Sequence, residues 1–211
     1  MASTATPYGF RAVNELGGLP YSGSTRQFLI NPAGYNTNIF NGSLVYVNAS
    51  GYLQIATSTG ADATTNGFPT GTANTGCIGV FVGCSYVNAQ GQVIYAQYYP
   101  ANTVAPTGTA ITAYVIDDDR AVFQVQAAGS MTIADVGANV YLNAVQSTST
   151  GSTTTGNSTT SVNPTTVTTT AAFRVVGFVN MQGFSVPGDA YTDILVKFNP
   201  GYHSYSNAVG L

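Results

Sequence analysis

Charge is scarce in this sequence. Five basic and eight acidic side chains are spread over 211 residues, 6% of the chain, against roughly a quarter in an average soluble domain. There is one Lys (Lys197), one Glu (Glu15) and one His (His203). The usual general acids, bases, metal ligands and phosphate-binding cations are therefore nearly absent, and the sequence argues against an enzyme. No nucleophile-elbow, phosphate-loop or zinc-helix pattern occurs, so no cofactor is expected. Five basic groups cannot neutralise a run of phosphates, which disfavours nucleic acid as a partner. No apolar run approaches the roughly 20 residues of a spanning helix, so no membrane partner is expected. Residues 1–20 hold no signal-peptide core, and synthesis in the cytoplasm is the expectation.

Cysteine is nearly missing too. Cys77 and Cys84 flank an apolar run, 78–83, that reads as one buried strand. Two cysteines seven residues apart on one strand cannot bridge each other, and their odd spacing sends them to opposite faces. Buried free thiols are expected.

What remains is apolar and neutral. Hydrophobic residues make up 44% of the chain, with 14 Tyr and 10 Phe, beside 24 Gly and 9 Pro. Apolar content this high with little net charge predicts a folded core rather than disorder. Short β-like runs recur between turn signals, at 27–30, 44–47, 53–56, 78–82, 93–99, 110–116, 121–127, 140–143, 173–179 and 194–198. That spacing predicts an all-β fold, a β-barrel or β-sandwich of short antiparallel strands. Residues 48–51 and 88–91 read as hairpin turns whose Gly supplies a positive φ. Residues 117–120 read as a third hairpin turn, between two strands that each carry an apolar face. At most one short helix is expected, near 133–136, capped by Ser130 or Thr132 and ended by Gly137.

Three segments lie outside the β domain of 27–198, read as one unit or as two packed β units, or interrupt it. Residues 1–26 read as an extended arm, in which Tyr8, Phe10, Arg11, Tyr21 and Arg26 either anchor a partner or cover one end of the protein's own core. Residues 147–171 are almost all Thr, Ser, Gly and Asn. Ordering so many backbones costs roughly 1 to 2 kcal/mol each with little apolar area to offset it, so neighbouring strands or a partner must hold them if they are ordered. Residues 199–211 form a tail around His203, which reads as a surface or interface residue. Asp117, Asp118 and Asp119 are consecutive and diverge in a turn. Their spacing does not match the alternate ligands of a calcium loop, and a solvated turn partly neutralised by Arg120 is expected.

Several motifs, taken in order, resemble one family. The opening Pro7-Tyr8-Gly9-Phe10-Arg11, the stretch from Tyr21 through Arg26 to Phe28, and Ile78-Gly79-Val80-Phe81-Val82-Gly83-Cys84-Ser85-Tyr86 are similar to capsid decoration (cement) proteins of tailed bacteriophages, of the marine and freshwater type. So are Asp117-Asp118 before Phe123-Gln124-Val125-Gln126, then Arg174-Val175-Val176-Gly177-Phe178 and Gly188-Asp189-Ala190-Tyr191. The resemblance implies a structural homotrimer on the virion capsid surface, bound to the major capsid protein and bracing the shell. The alternative from another class is a carbohydrate-binding adhesin or tail-fibre module presenting Tyr platforms. It ranks second because the chain has no Trp, the preferred stacking residue for sugars.

Overall fold

The computed structural model describes residues 3–56, 76–147, 149–168, 171–179 and 184–206. Residues 1–2 of the arm, 148 and 169–170 of the Ser/Thr-rich segment and 207–211 of the tail lie outside the described residues. In chain order the strands are β1 (Arg11–Glu15), β2 (Arg26–Ile30), β3 (Leu44–Val47), β4 (Leu53–Ile55), β5 (Gly79–Val87) and β6 (Val93–Ala96). They continue with β7 (Ile111–Ile116), β8 (Ala121–Gln126), β9 (Asn139–Val140), β10 (Phe173–Phe178) and β11 (Asp193–Phe198). All ten runs expected from the sequence overlap a strand, the run 140–143 only at Val140, and β1 is added to them.

The strands form two antiparallel sheets stacked as a sandwich. The first has the order β1-β8-β11-β10-β9 and the second β2-β7-β5-β3-β4, with β6 also pairing β5. Neither sheet closes into a barrel among the described residues. Helical structure there is limited to two 3₁₀ turns, Ile133–Asp135 and Ser204–Ser206. The first of them is capped by Thr132, whose N–H and hydroxyl both donate to the Asp135 carboxylate.

Two hairpins follow the sequence reading closely. At 48–52 and 88–92 the Asn side-chain oxygen accepts two backbone N–H groups, and Gly51 and Gly91 take φ of 80° and 79°. That region of φ is open to Gly at no steric cost, so the same short motif builds the β3–β4 and β5–β6 turns. The third expected hairpin is corrected. β7 pairs β2 and β5 while β8 pairs β1 and β11, so residues 117–120 carry the chain from one sheet to the other. Apolar faces on both flanking strands suit either arrangement. Long-range pairing decides between them.

Two apolar clusters result. The first lies between the sheets, where Phe10 stacks on Phe173 at 4.9 Å and Phe123 meets Phe198 edge-on at 5.7 Å. The second covers the far face of the second sheet, where Ile30, Val45, Phe81, Ile111 and Val115 are roofed by Ile39, Tyr99 and Ala105. β5 is buried on both faces over its first part, up to Cys84, and Cys77 just before it joins the first cluster while Cys84 joins the second. They are free and buried on opposite faces, and burial pushes both thiols up to about 12. Thiolate is then negligible near neutrality, and both cysteines are inert packing residues.

Candidate functional site

The five arm residues singled out from sequence separate into a core residue and two surface clusters. Phe10 is fully buried among Phe123 and Phe173, and the residues after it form β1, the edge of the first sheet. Phe10 is therefore part of the protein's own core, which removes it as a contact for a partner. An aromatic ring of this size supplies too much apolar area to remain in water when a sheet face lies beside it.

Tyr8 and Arg11 form the first cluster, over the outer face of that sheet. The Tyr8 hydroxyl donates to Asp193 Oδ1 on β11 at 2.9 Å, and the Arg11 guanidinium sits 4.5 Å above the Tyr8 ring. Burial raises the Asp193 carboxyl above its ordinary range, opposed by the Tyr8 bond and the Arg11 charge. Burial and Asp193 together raise the Tyr8 phenol. The preceding residues are tied down as well, since Thr6 N–H donates to Gln126 Oε1 at 2.9 Å and Tyr191 N–H to Ser3 Oγ at 2.8 Å.

Tyr21 and Arg26 belong to the second cluster, beside the sheet-to-sheet crossing at 117–120. Arg26 Nε pairs with Asp117 Oδ2 at 2.8 Å, while Arg26 Nη1 donates to the Tyr205 hydroxyl at 2.9 Å. That hydroxyl donates in turn to Asp117 Oδ2 at 3.0 Å. The cation that meets the Asp run is thus Arg26, from a distant strand, and not the adjacent Arg120. Asp118 has a local role: its side chain accepts Arg120 N–H at 2.8 Å and its backbone oxygen accepts Ala121 N–H. The Tyr21 hydroxyl donates to Ser24 O, and its phenol is raised by burial and by Asp118, Asp117 and Glu15. Among the described residues no group of three His, Cys, Asp or Glu side chains converges to hold a metal.

His203 corrects another expectation. It is buried, not at the surface, against Phe198 at 5.2 Å and Tyr205 at 5.4 Å. Its Nδ1 accepts Tyr205 N–H at 3.3 Å, and its Nε2 makes no well-formed hydrogen bond among the described residues. Burial pulls the imidazole below its ordinary range, against the opposing pull of Asp119, Asp117 and Asp118. Tyr202 and Ser204 on either side exchange backbone bonds with Cys77, so the tail is stitched into the first cluster. Local sequence gave no sign of this, because the partners lie more than a hundred residues away.

Beyond these clusters the outer face of the first sheet carries a surface depression of about 160 Å³, lined by Leu16, Val122, Val176 and Leu195 with Asn14, Glu15 and the Gly17-Gly18 pair. The loop over it is a tight turn, closed by Glu15 N–H to Leu19 O at 2.7 Å. Leu19 is 65% exposed there, and Leu16 and Val176 are partly exposed. Sequence reading missed this patch, although Leu-Gly-Gly-Leu after an acidic residue is a turn signal with apolar shoulders. No protein-family description, curated protein or solved structure matches this chain.

Proposed function

We propose that this chain is a structural virion protein, a decoration protein that binds the outer surface of a tailed-phage capsid as a homotrimer and braces the shell. Its partner is the major capsid protein. The observation that carries the reading is the apolar patch around Leu16, Leu19 and Val176 on a surface almost without charge. A contact built from apolar side chains and neutral hydrogen bonds needs no perturbed acid or base. It also suits salty water, where a screening length of about 4 Å weakens exposed ion pairs and leaves apolar burial intact.

Removing residues 1–20 cannot test this, because it would strip Phe10 and β1 from the fold. Substitution at the exposed turn can. Purified protein mixed with empty shells of tailed bacteriophage should co-sediment at a fixed ratio to the major capsid protein. Leu19→Asp should abolish that binding with the circular dichroism spectrum unchanged. Failure of the wild type to bind shells, with capture on a glycan array, would favour the carbohydrate-binding alternative.

A further inference from the structure

The segment 199–206, beyond β11, is fastened to the fold without belonging to either sheet. Cys77 N–H donates to Tyr202 O at 2.9 Å and Ser204 N–H to Cys77 O at 2.8 Å, while the Ser204 hydroxyl donates to Gly76 O at 3.3 Å. Farther along, the Tyr205 hydroxyl donates to Asp117 Oδ2 at 3.0 Å and accepts from Arg26 Nη1. The strand ladders of the two sheets include none of these tail residues, which touch the strands' chain only through the single bridge of His203 to Cys77. They can lift away with every strand pair intact. A segment held by so few bonds opens at a lower free energy than the whole fold.

His203 sits at the centre of this fastening, fully buried. Its Nδ1 accepts the Tyr205 N–H at 3.3 Å, so the neutral ring carries its proton on Nε2. A second proton has to enter at Nδ1, where it points at another donor. The acceptor is then lost, and a charge stands beside the rings of Phe198 and Tyr205. The charged and titratable groups around the ring are Asp117, Asp118 and Asp119 of the crossing, Arg26 of β2 beyond Tyr205, Cys77 before β5, and Tyr202 and Tyr205 of the segment itself. Burial, the largest influence, disfavours the charged form, and it outweighs Asp119, Asp117, the Ile78 backbone and Asp118, which favour it.

We propose that residues 199–206 are an acid-released latch: a proton on His203 lifts the segment off Cys77 and the Asp117 crossing while both sheets stay paired. Opening returns the imidazole to water, where it keeps the proton, and bares the backbone N–H and C=O of Cys77. The sign follows from the lowered pKa of the closed form. Closure is favoured in full above the open value of about 6.5, and weakens roughly tenfold per pH unit below it while the closed imidazole stays neutral. The latch needs no capsid and stands apart from the decoration reading.

Amide exchange followed by NMR on the full chain from pH 7.5 to 5.5, with each rate divided by the intrinsic rate at that pH, tests it. The Cys77, Ser204 and Tyr205 amides should be less protected than those of β7 and β8 at every pH, because they open without the sheets. Between pH 6.5 and 5.5 they should lose roughly tenfold in protection. His203→Asn should remove that loss, because an Asn side-chain oxygen accepts the N–H two residues on, as His203 Nδ1 does here, and does not titrate. Should Asn fail to protect these amides at pH 7.5, His203→Phe supplies the same reading. Segment amides as protected as those of the strands, protection that does not change with pH, or the same loss in the variant would overturn the proposal.

Discussion

The described residues of the two segments that stand apart from the strand pattern, 1–26 and 147–171, are both held by the fold, but by different means. The first has one large apolar anchor beside the polar bonds of Ser3, Thr6 and Tyr8: Phe10 enters the aromatic stack with Phe173 and Phe123, and β1 follows as a sheet edge. The second is fixed mostly by polar groups. Buried Gln146 donates from Nε2 to Leu44 O and Ala56 O, and its Oε1 accepts Leu44 N–H and the Thr160 hydroxyl. Backbone bonds join Asn41 to Gly156 and Ser158, Val162 to Gln126, and Val167 to Asn139. Val162 is the one large apolar side chain buried between 149 and 168. A Thr- and Ser-rich segment can thus be ordered when neighbours satisfy its backbone, which offsets an entropy cost that its own side chains cannot.

The difference has measurable consequences. Phe10→Ala should lower the unfolding free energy by about 3 to 5 kcal/mol in urea denaturation, the range for emptying a buried aromatic site. A loss below about 1 kcal/mol would mean that the arm only rests on the fold. Gln146→Leu should cost about 2 to 3 kcal/mol, because buried groups of Leu44, Ala56 and Thr160 lose their partner. It should also speed amide exchange across 150–162 more than across β1. Equal effects on the two segments would erase the contrast between them.

A third, smaller effect concerns the tail that the Arg26 end of the arm touches. His203 has a lowered pKa in the folded state, so the unfolded chain binds its proton more readily. Stability from this group is complete above the unfolded value of about 6.5 and falls as pH drops below it. Asp193 has the opposite sign at lower pH: its raised pKa makes the folded state lose stability as pH climbs through the carboxylate range. The expected result is weaker folding at pH 5 than at pH 7.5, flattened by His203→Phe. A slope unchanged in that variant would count against the assignment. The smallest effect belongs to Arg26→Gln. Its side chain is 61% exposed, and exposed pairs contribute roughly 0 to 1 kcal/mol. Any loss measured at low salt should vanish in strong salt.

Much of the fold was legible because the signals were local. Alternating apolar residues located ten strands, and the Asn-Ala-x-Gly turns at 48 and 88 carry their geometry in four residues. β1 escaped notice because Arg11-Ala12-Val13-Asn14-Glu15 places charges at both ends of a weakly alternating edge strand. The crossing at 117–120 was misread because a turn between two apolar-faced strands looks the same whether they pair or part. At the surface, the Tyr and Arg residues of the arm stand out in the sequence, but the residues of this chain that they meet do not. Asp117, Tyr205 and Asp193 reach them across 91 to 185 positions, and no local pattern encodes such meetings. The apolar turn at Leu16 and Leu19 became visible only once β1 had placed it over the sheet.

The central claim is that this protein works through a neutral contact surface, and retention on capsid shells across a salt series tests it most directly. Binding that is unchanged or tighter from low salt to 1 M is the predicted result, as apolar burial is not screened. Steep release of the protein as salt rises would show that the contact rests on charge after all, and would contradict the account.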